Sequence, residues 1–161
     1  MLATLSEFMH IDPQIKDAAD QYLSAANILN DRGAFSGVLL PKVINAVFSI
    51  ELYLKALNSK KVYNSAPDQC GSIVTAEPNT YGHDLSKLFN GLPSEIQTDL
   101  TNKYSSSTAY NRASFSEIMA KYSRTFVGVR YVFQDSSALQ SVNVTELLSI
   151  ANFMGSYVKF T

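Results

Sequence analysis

Residues 115–134 read FSEIMAKYSRTFVGVRYVFQ, and Phe115, Met119, Tyr122, Phe126, Val129 and Phe133 recur at steps of four, three, four, three and four. One apolar stripe at that period predicts a single amphipathic helix over about 114–135. At ~100° per residue, Arg130 falls about 60° from the centre of the stripe, at the edge of the core, and Arg124 falls on the solvent side.

The same rule places the other elements. After a mixed lead segment, 1–12, Asp12-Pro13 reads as N-cap and first helical position. Ile15, Ala18, Ala19, Tyr22, Ala25, Ala26 and Leu29 then keep helical spacing to Asp31, and Arg32-Gly33 supplies a stop. A second helical region covers about 35–59. Pro41 either kinks it or marks its true start. From Val43 the sequence VINAVFSIELYLKALN is apolar on nearly every face, the pattern of a central buried helix, with Glu51 standing in the stripe between Val47 and Leu54. Residues 60–82 carry Pro, Gly, Ser and Asn without a sustained period and read as a long loop. A short helix opens after Gly82-His83-Asp84. Another follows Pro93, with Ile96, Leu100 and Tyr104 on one face. A last helix covers about 143–159. No strand alternation persists and no internal repeat or domain boundary is visible. The expectation is an all-α fold: a single domain over 1–161, an up-and-down helical bundle of five to six helices, with the second and fifth as the core pair.

Composition narrows the classes. A chain of 161 residues that is 46% hydrophobic and 17% charged has the make-up of a globular domain. A formal net charge of −1 argues against a dedicated nucleic-acid binder, while leaving room for a local basic patch. The lone cysteine, Cys70, cannot form an internal disulfide, and no histidine or cysteine cluster surrounds it, so a reducing, cytoplasmic setting is expected. The lead segment lacks the basic and apolar regions of a secretory signal, and no apolar run approaches ~20 residues, so no membrane contact is expected. Asn143-Val144-Thr145 matches a glycosylation sequon without meaning in that compartment. No nucleotide loop, zinc signature, nucleophile elbow or CxxC is present, and neither cofactor nor metal is expected.

Glu51 and Arg130 are charged residues on or beside the stripes of the two most apolar helices, and each needs a partner. They are expected to contact each other, first as a structural ion pair that sets helix register, second as a ligand or catalytic site in a bundle cleft. His83 reads first as part of a helix cap and second as a general acid or base facing the same cleft. His10 reads as a surface residue. Lys55, one turn after Glu51, supports its helix by an i,i+4 pair. Lys42, Lys55, Lys60, Lys61, Arg124 and Arg130 form either a phosphate-binding patch or simply a solvated face. Tyr122 and Tyr131 either stack on bases or belong to the core or an interface.

Three segments in order, SIELYLKALN, GHDLSKLFNGLP and YSRTFVGVRYVFQ, covering about 46–134, resemble the HEPN superfamily of helical proteins from prokaryotic defence and toxin systems. The resemblance implies a helical bundle that dimerises. Many such proteins are metal-independent ribonucleases whose site is an arginine followed after four to six residues by a histidine. Others lack that motif and act as binding or accessory proteins, some beside a nucleotidyltransferase partner. Here Arg124 is followed after five residues by Arg130, where the histidine would stand. Arginine stays protonated and is a poor general base. The expectation is therefore a HEPN-like binding or accessory protein, a homodimer, from a defence, toxin–antitoxin or mobile-element system, with RNA or a nucleotide as candidate ligand. Two alternatives stand beside it. One is a ribonuclease with a rearranged site of Arg124, Arg130 and His83. The other is a structural, self-assembling interaction protein.

Overall fold

The computed structural model describes residues 10–32, 37–65, 72–135 and 137–159. Most of the lead segment and Cys70, expected in a loop, lie outside the described residues. The architecture is mostly helical, a bundle with one added two-stranded hairpin.

Helix α1 (Pro13–Asp31) starts where the sequence predicts. The Asp12 carboxylate accepts from Gln14 N at 2.9 Å and Ile15 N at 3.0 Å, and Pro13 occupies the first turn, where its missing N–H is not needed. Its small buried residues, Ala19 and Ala26, face the body. Helix α2 (Leu39–Ala56) is central, touching α1 on one side and three later helices elsewhere. Pro41 lies in its first turn, which settles the choice between a kink and a late start in favour of the latter. Val43, Ala46, Val47, Ile50, Tyr53 and Leu54 are buried, and so are the polar side chains of Lys42, Ser49 and Glu51.

Strands β1 (Ser59–Ser65) and β2 (Ser72–Pro78) pair antiparallel, from Ser59↔Pro78 to Ser65↔Ser72. This hairpin replaces the expected loop. Val62 and Tyr63 on one strand, and Ile73, Val74 and Thr75 on the other, are good strand formers. Each run is too short to read as a strand alone, and pairing with the other is what stabilises both. Lys60 and Glu77, opposite each other in register, approach to 3.8 Å.

Next come α3 (Leu85–Asn90), α4 (Ser94–Ser105), α5 (Phe115–Lys121), α6 (Thr125–Arg130), the short α7 (Ser137–Gln140) and α8 (Val144–Tyr157). The single helix expected over 114–135 is thus two. α5 begins with a reciprocal Ser114–Glu117 capping box. The chain then tightens: Ser123 N donates to Ala120 O at 3.3 Å and Thr125 N to Tyr122 O at 3.1 Å. Tyr, Ser, Thr, Phe, Val and Gly crowd this stretch, and all are weaker helix formers than the residues of a continuous helix. Burial nevertheless follows the stripe across the break, since Phe115, Met119, Tyr122, Phe126 and Val129 are all buried. Only Phe133, beyond α6, leaves it and is 78% exposed. The break also divides the contacts. α6 packs on α2, whereas α5 packs on α3 and α4, so the second and fifth predicted helices are not one continuous core pair. The close partners of α2 are α1 and α8.

Candidate functional site

Glu51 is fully buried on α2, as its place in the stripe requires, but its partners are not the expected one. Lys55 Nζ donates to Oε1 at 2.6 Å, and His83 Nδ1 lies 3.0 Å from both carboxylate oxygens. A carboxylate accepts, so Nδ1 carries the proton, and Nε2 of a neutral His83 ring is left as an acceptor. The Lys55 side chain is only 14% exposed and Glu51 is fully buried, so the pair is a half-buried one rather than surface support for the helix.

The Glu51–Arg130 contact does not form. The break at 122–124 resets the helical phase, so a rotation extrapolated from Phe115 no longer places Arg130. Its guanidinium is exposed and lies 5.3 Å from the Phe126 ring centroid and 5.8 Å from that of Tyr131. Lys55 and His83 are the partners of the carboxylate in its place.

His83 is not a capping residue. The cap of α3 is the Asp84 side chain, which accepts from Lys87 N at 3.1 Å. Asp84 in that role turns the preceding residue out of the helix, and the His83 ring reaches back to α2. It packs 4.8 Å from the Phe126 ring, tilted by 32°. Phe126 stacks on Phe48 at 5.1 Å, and Phe48 meets Tyr22 edge-on at 4.5 Å. A column of rings thus supports the histidine from α1 to the site. His83 and Arg130, though not bonded, share Phe126.

The His83 side chain is 44% exposed and opens into a cavity of about 450 Å³ between the start of α3 and α6. Asp84, Lys87, Ser123, Arg124, Val127 and Gly128 complete its walls. Neither Lys87 nor Arg124 is in an ion pair among the described residues. Two open cations, a backbone break and a carboxylate-held imidazole therefore meet in one cleft. The structure brings together His83 and Arg124 and, through His83, Glu51 and Lys55. It leaves Arg130 and Tyr131 exposed outside this lining.

Other expected roles resolve differently. Lys60 is committed across the hairpin, and Lys42 is buried against Asn30. Tyr122 is buried, with its hydroxyl on Glu146, and is not free to stack on a base. Burial first, and the Glu146 hydrogen bond second, push the Tyr122 phenol above its ordinary value. Lys87 was missed in sequence, because a lysine in the first turn of a short helix carries no periodic signal. No group of three or more His, Cys, Asp or Glu side chains gathers as a metal site among the described residues. No helix among them is long and apolar enough to cross a membrane.

Comparison of the chain with protein-family models, with curated proteins and with solved structures returns no match.

Proposed function

We propose that the protein is a cytoplasmic HEPN-like binding or accessory protein that takes a phosphate group of RNA or a nucleotide in the cleft of His83, Arg124 and Lys87. The observation that carries this reading is the convergence on a single cavity of one anchored imidazole and two cations that form no ion pair among the described residues. A guanidinium holds phosphate oxygens through two parallel hydrogen bonds, a lysine adds a point charge, and a half-exposed imidazole adds a donor or acceptor. A homodimer and a nucleotidyltransferase-type partner belong to the same reading. Exposed Val127, Tyr131 and Phe133, close in sequence to the cleft-lining residues, offer apolar area for such contacts.

One observation favours a second reading, a metal-independent ribonuclease. Glu51 holds His83 by Nδ1, the arrangement in which a carboxylate fixes the tautomer and orientation of a general base. Nε2 would take the proton of a ribose 2′-hydroxyl as that oxygen attacks the adjacent phosphorus, and would return it to the departing 5′-oxygen. Arg124 would stabilise the charge on the phosphorane. Here the imidazole comes from the start of α3, not from the helix that carries the arginines.

The test is fluorescence anisotropy with a short labelled single-stranded RNA, alongside gel assays for cleavage. Arg124→Ala is expected to weaken binding about tenfold or more, with Arg130→Ala near wild type. Binding unchanged in Arg124→Ala would overturn the cleft. Cleavage lost in His83→Ala while binding persists would establish the second reading. Cleavage that needs Arg130 but not Arg124 would overturn both placements.

A further inference from the structure

A second cavity lies away from the His83 cleft and is of different character. It has a volume of about 710 Å³ and is lined from α1, α8 and the turn at 106–109. Thr145, Ser149, Asn152 and Ser156 line it from α8 at steps of four, three and four, a polar stripe on a helix whose other face is buried. The hydroxyls of Thr145, Ser149 and Ser156 make no hydrogen bond to any described residue, and stand open to a ligand. Asn27 and Asn30 face them from α1, and Asn27 and Asn152 pair with each other across the groove, Nδ2 to Oδ1 at 2.9 Å one way and 3.1 Å the other. Among the described residues, no charged side chain lines the groove.

A charge stands directly behind it. Lys42 is 6% exposed, and its one hydrogen bond among the described residues runs 3.4 Å to Asn30 Oδ1. It is in no ion pair there. A buried ammonium with a single long bond to a neutral carbonyl is poorly compensated for the water it has lost. Its position adds to the deficit. Lys42 lies in the first turn of α2, where the helix dipole already presents positive charge. Accepting from Lys42 also turns the Asn30 carbonyl inward and leaves the Asn30 NH2 group to donate into the groove.

We propose that this groove binds a small polyhydroxylated molecule bearing one anionic group, either phosphate or carboxylate. The free hydroxyls of α8 exchange hydrogen bonds with the ligand hydroxyls, beside the Asn27–Asn152 pair. The anion sits at the Asn30 end, against the Asn30 amide, and neutralises the Lys42 charge. The volume suits a ligand of this size. The site is independent of the His83 cleft, and neither stands or falls with the other.

Titration calorimetry and amide-resolved NMR with four probes test this: ribose 5-phosphate, gluconate, ribose and orthophosphate. Ribose 5-phosphate or gluconate is expected to shift amides at 106–109 and along α8, and to bind about tenfold or more tighter than ribose. The comparison between them separates phosphate from carboxylate. Lys42→Met should erase the advantage over ribose. Ser149→Tyr, at an exposed position that tolerates bulk, should block all binding in the groove even if Lys42→Met lowers stability. Shifts confined to His83 and Arg124, no groove shifts at millimolar probe, or an anion preference that survives Lys42→Met would each overturn the proposal.

Discussion

Glu51 and Glu146 are each the hub of a small polar network, and the two networks end differently. Glu146 on α8 accepts from Lys121 Nζ, the Tyr122 hydroxyl and Asn111 Nδ2, so three side chains from α5 and its flanks close on one carboxylate. Lys121 is 42% exposed, but neither it nor Tyr122 nor Asn111 lines the His83 cleft, and the Tyr122 hydroxyl is buried. Glu51 has two partners, and one of them, His83, keeps its second ring nitrogen free among the described residues, is 44% exposed and lines a cleft. A closed network fastens elements together, whereas an open-ended one presents a positioned group to something outside. The difference lies in the last member of each chain of contacts and not in the carboxylate.

Removing each hub sharpens the contrast. Glu51→Ala leaves Lys55, only 14% exposed, without its counter-charge and is expected to cost about 3–5 kcal/mol in denaturant melts. A loss under ~1 kcal/mol would mean that the pair is solvated and the site poorly held. Glu146→Gln should cost less, on the order of 1–3 kcal/mol, through the buried Tyr122 hydroxyl, and should leave RNA binding unchanged. It should also alter the acid limb of the stability curve. Burial alone would raise the Glu146 pKa, but the bonds from Lys121, Tyr122 and Asn111 outweigh it and hold the carboxylate below its ordinary value. A depressed folded-state pKa contributes stability above the unfolded value, near 4.3 for glutamate, and that stability is lost as pH falls through the folded value. Melts of Glu146→Gln between about pH 5 and pH 2 should therefore fall less steeply than wild type. The smallest effect belongs to Arg130→Ala. Its exposed ring contacts are worth at most about 1 kcal/mol, and a loss near the Glu51→Ala value would restore the ion pair that periodicity suggests.

Much of the fold was legible along the chain. Asp12-Pro13 marks the start of α1 because capping is local chemistry between neighbouring residues. Glu51 is recognisable as buried because nearly every neighbour within a turn is apolar. The stripe from Phe115 to Val129 reports burial correctly even where it misreports continuity, since side-chain burial follows the core and not the hydrogen-bond ladder. The hairpin was not legible, because each strand needs the other to be stable. The partner of Glu51 was half legible. Lys55 stands at the i,i+4 spacing, whereas His83 comes from another element 32 residues away.

By itself, then, the order of residues determined that this protein is mostly helical, where several helices begin, and that α2 lies at the centre with a charge inside it. Those properties follow from interactions within one or two turns. Tertiary structure decided which side chain answers that charge. It did so because a three-residue break between α5 and α6 changes the direction of everything beyond it, taking Arg130 to the surface and bringing Arg124 to the cleft that His83 enters.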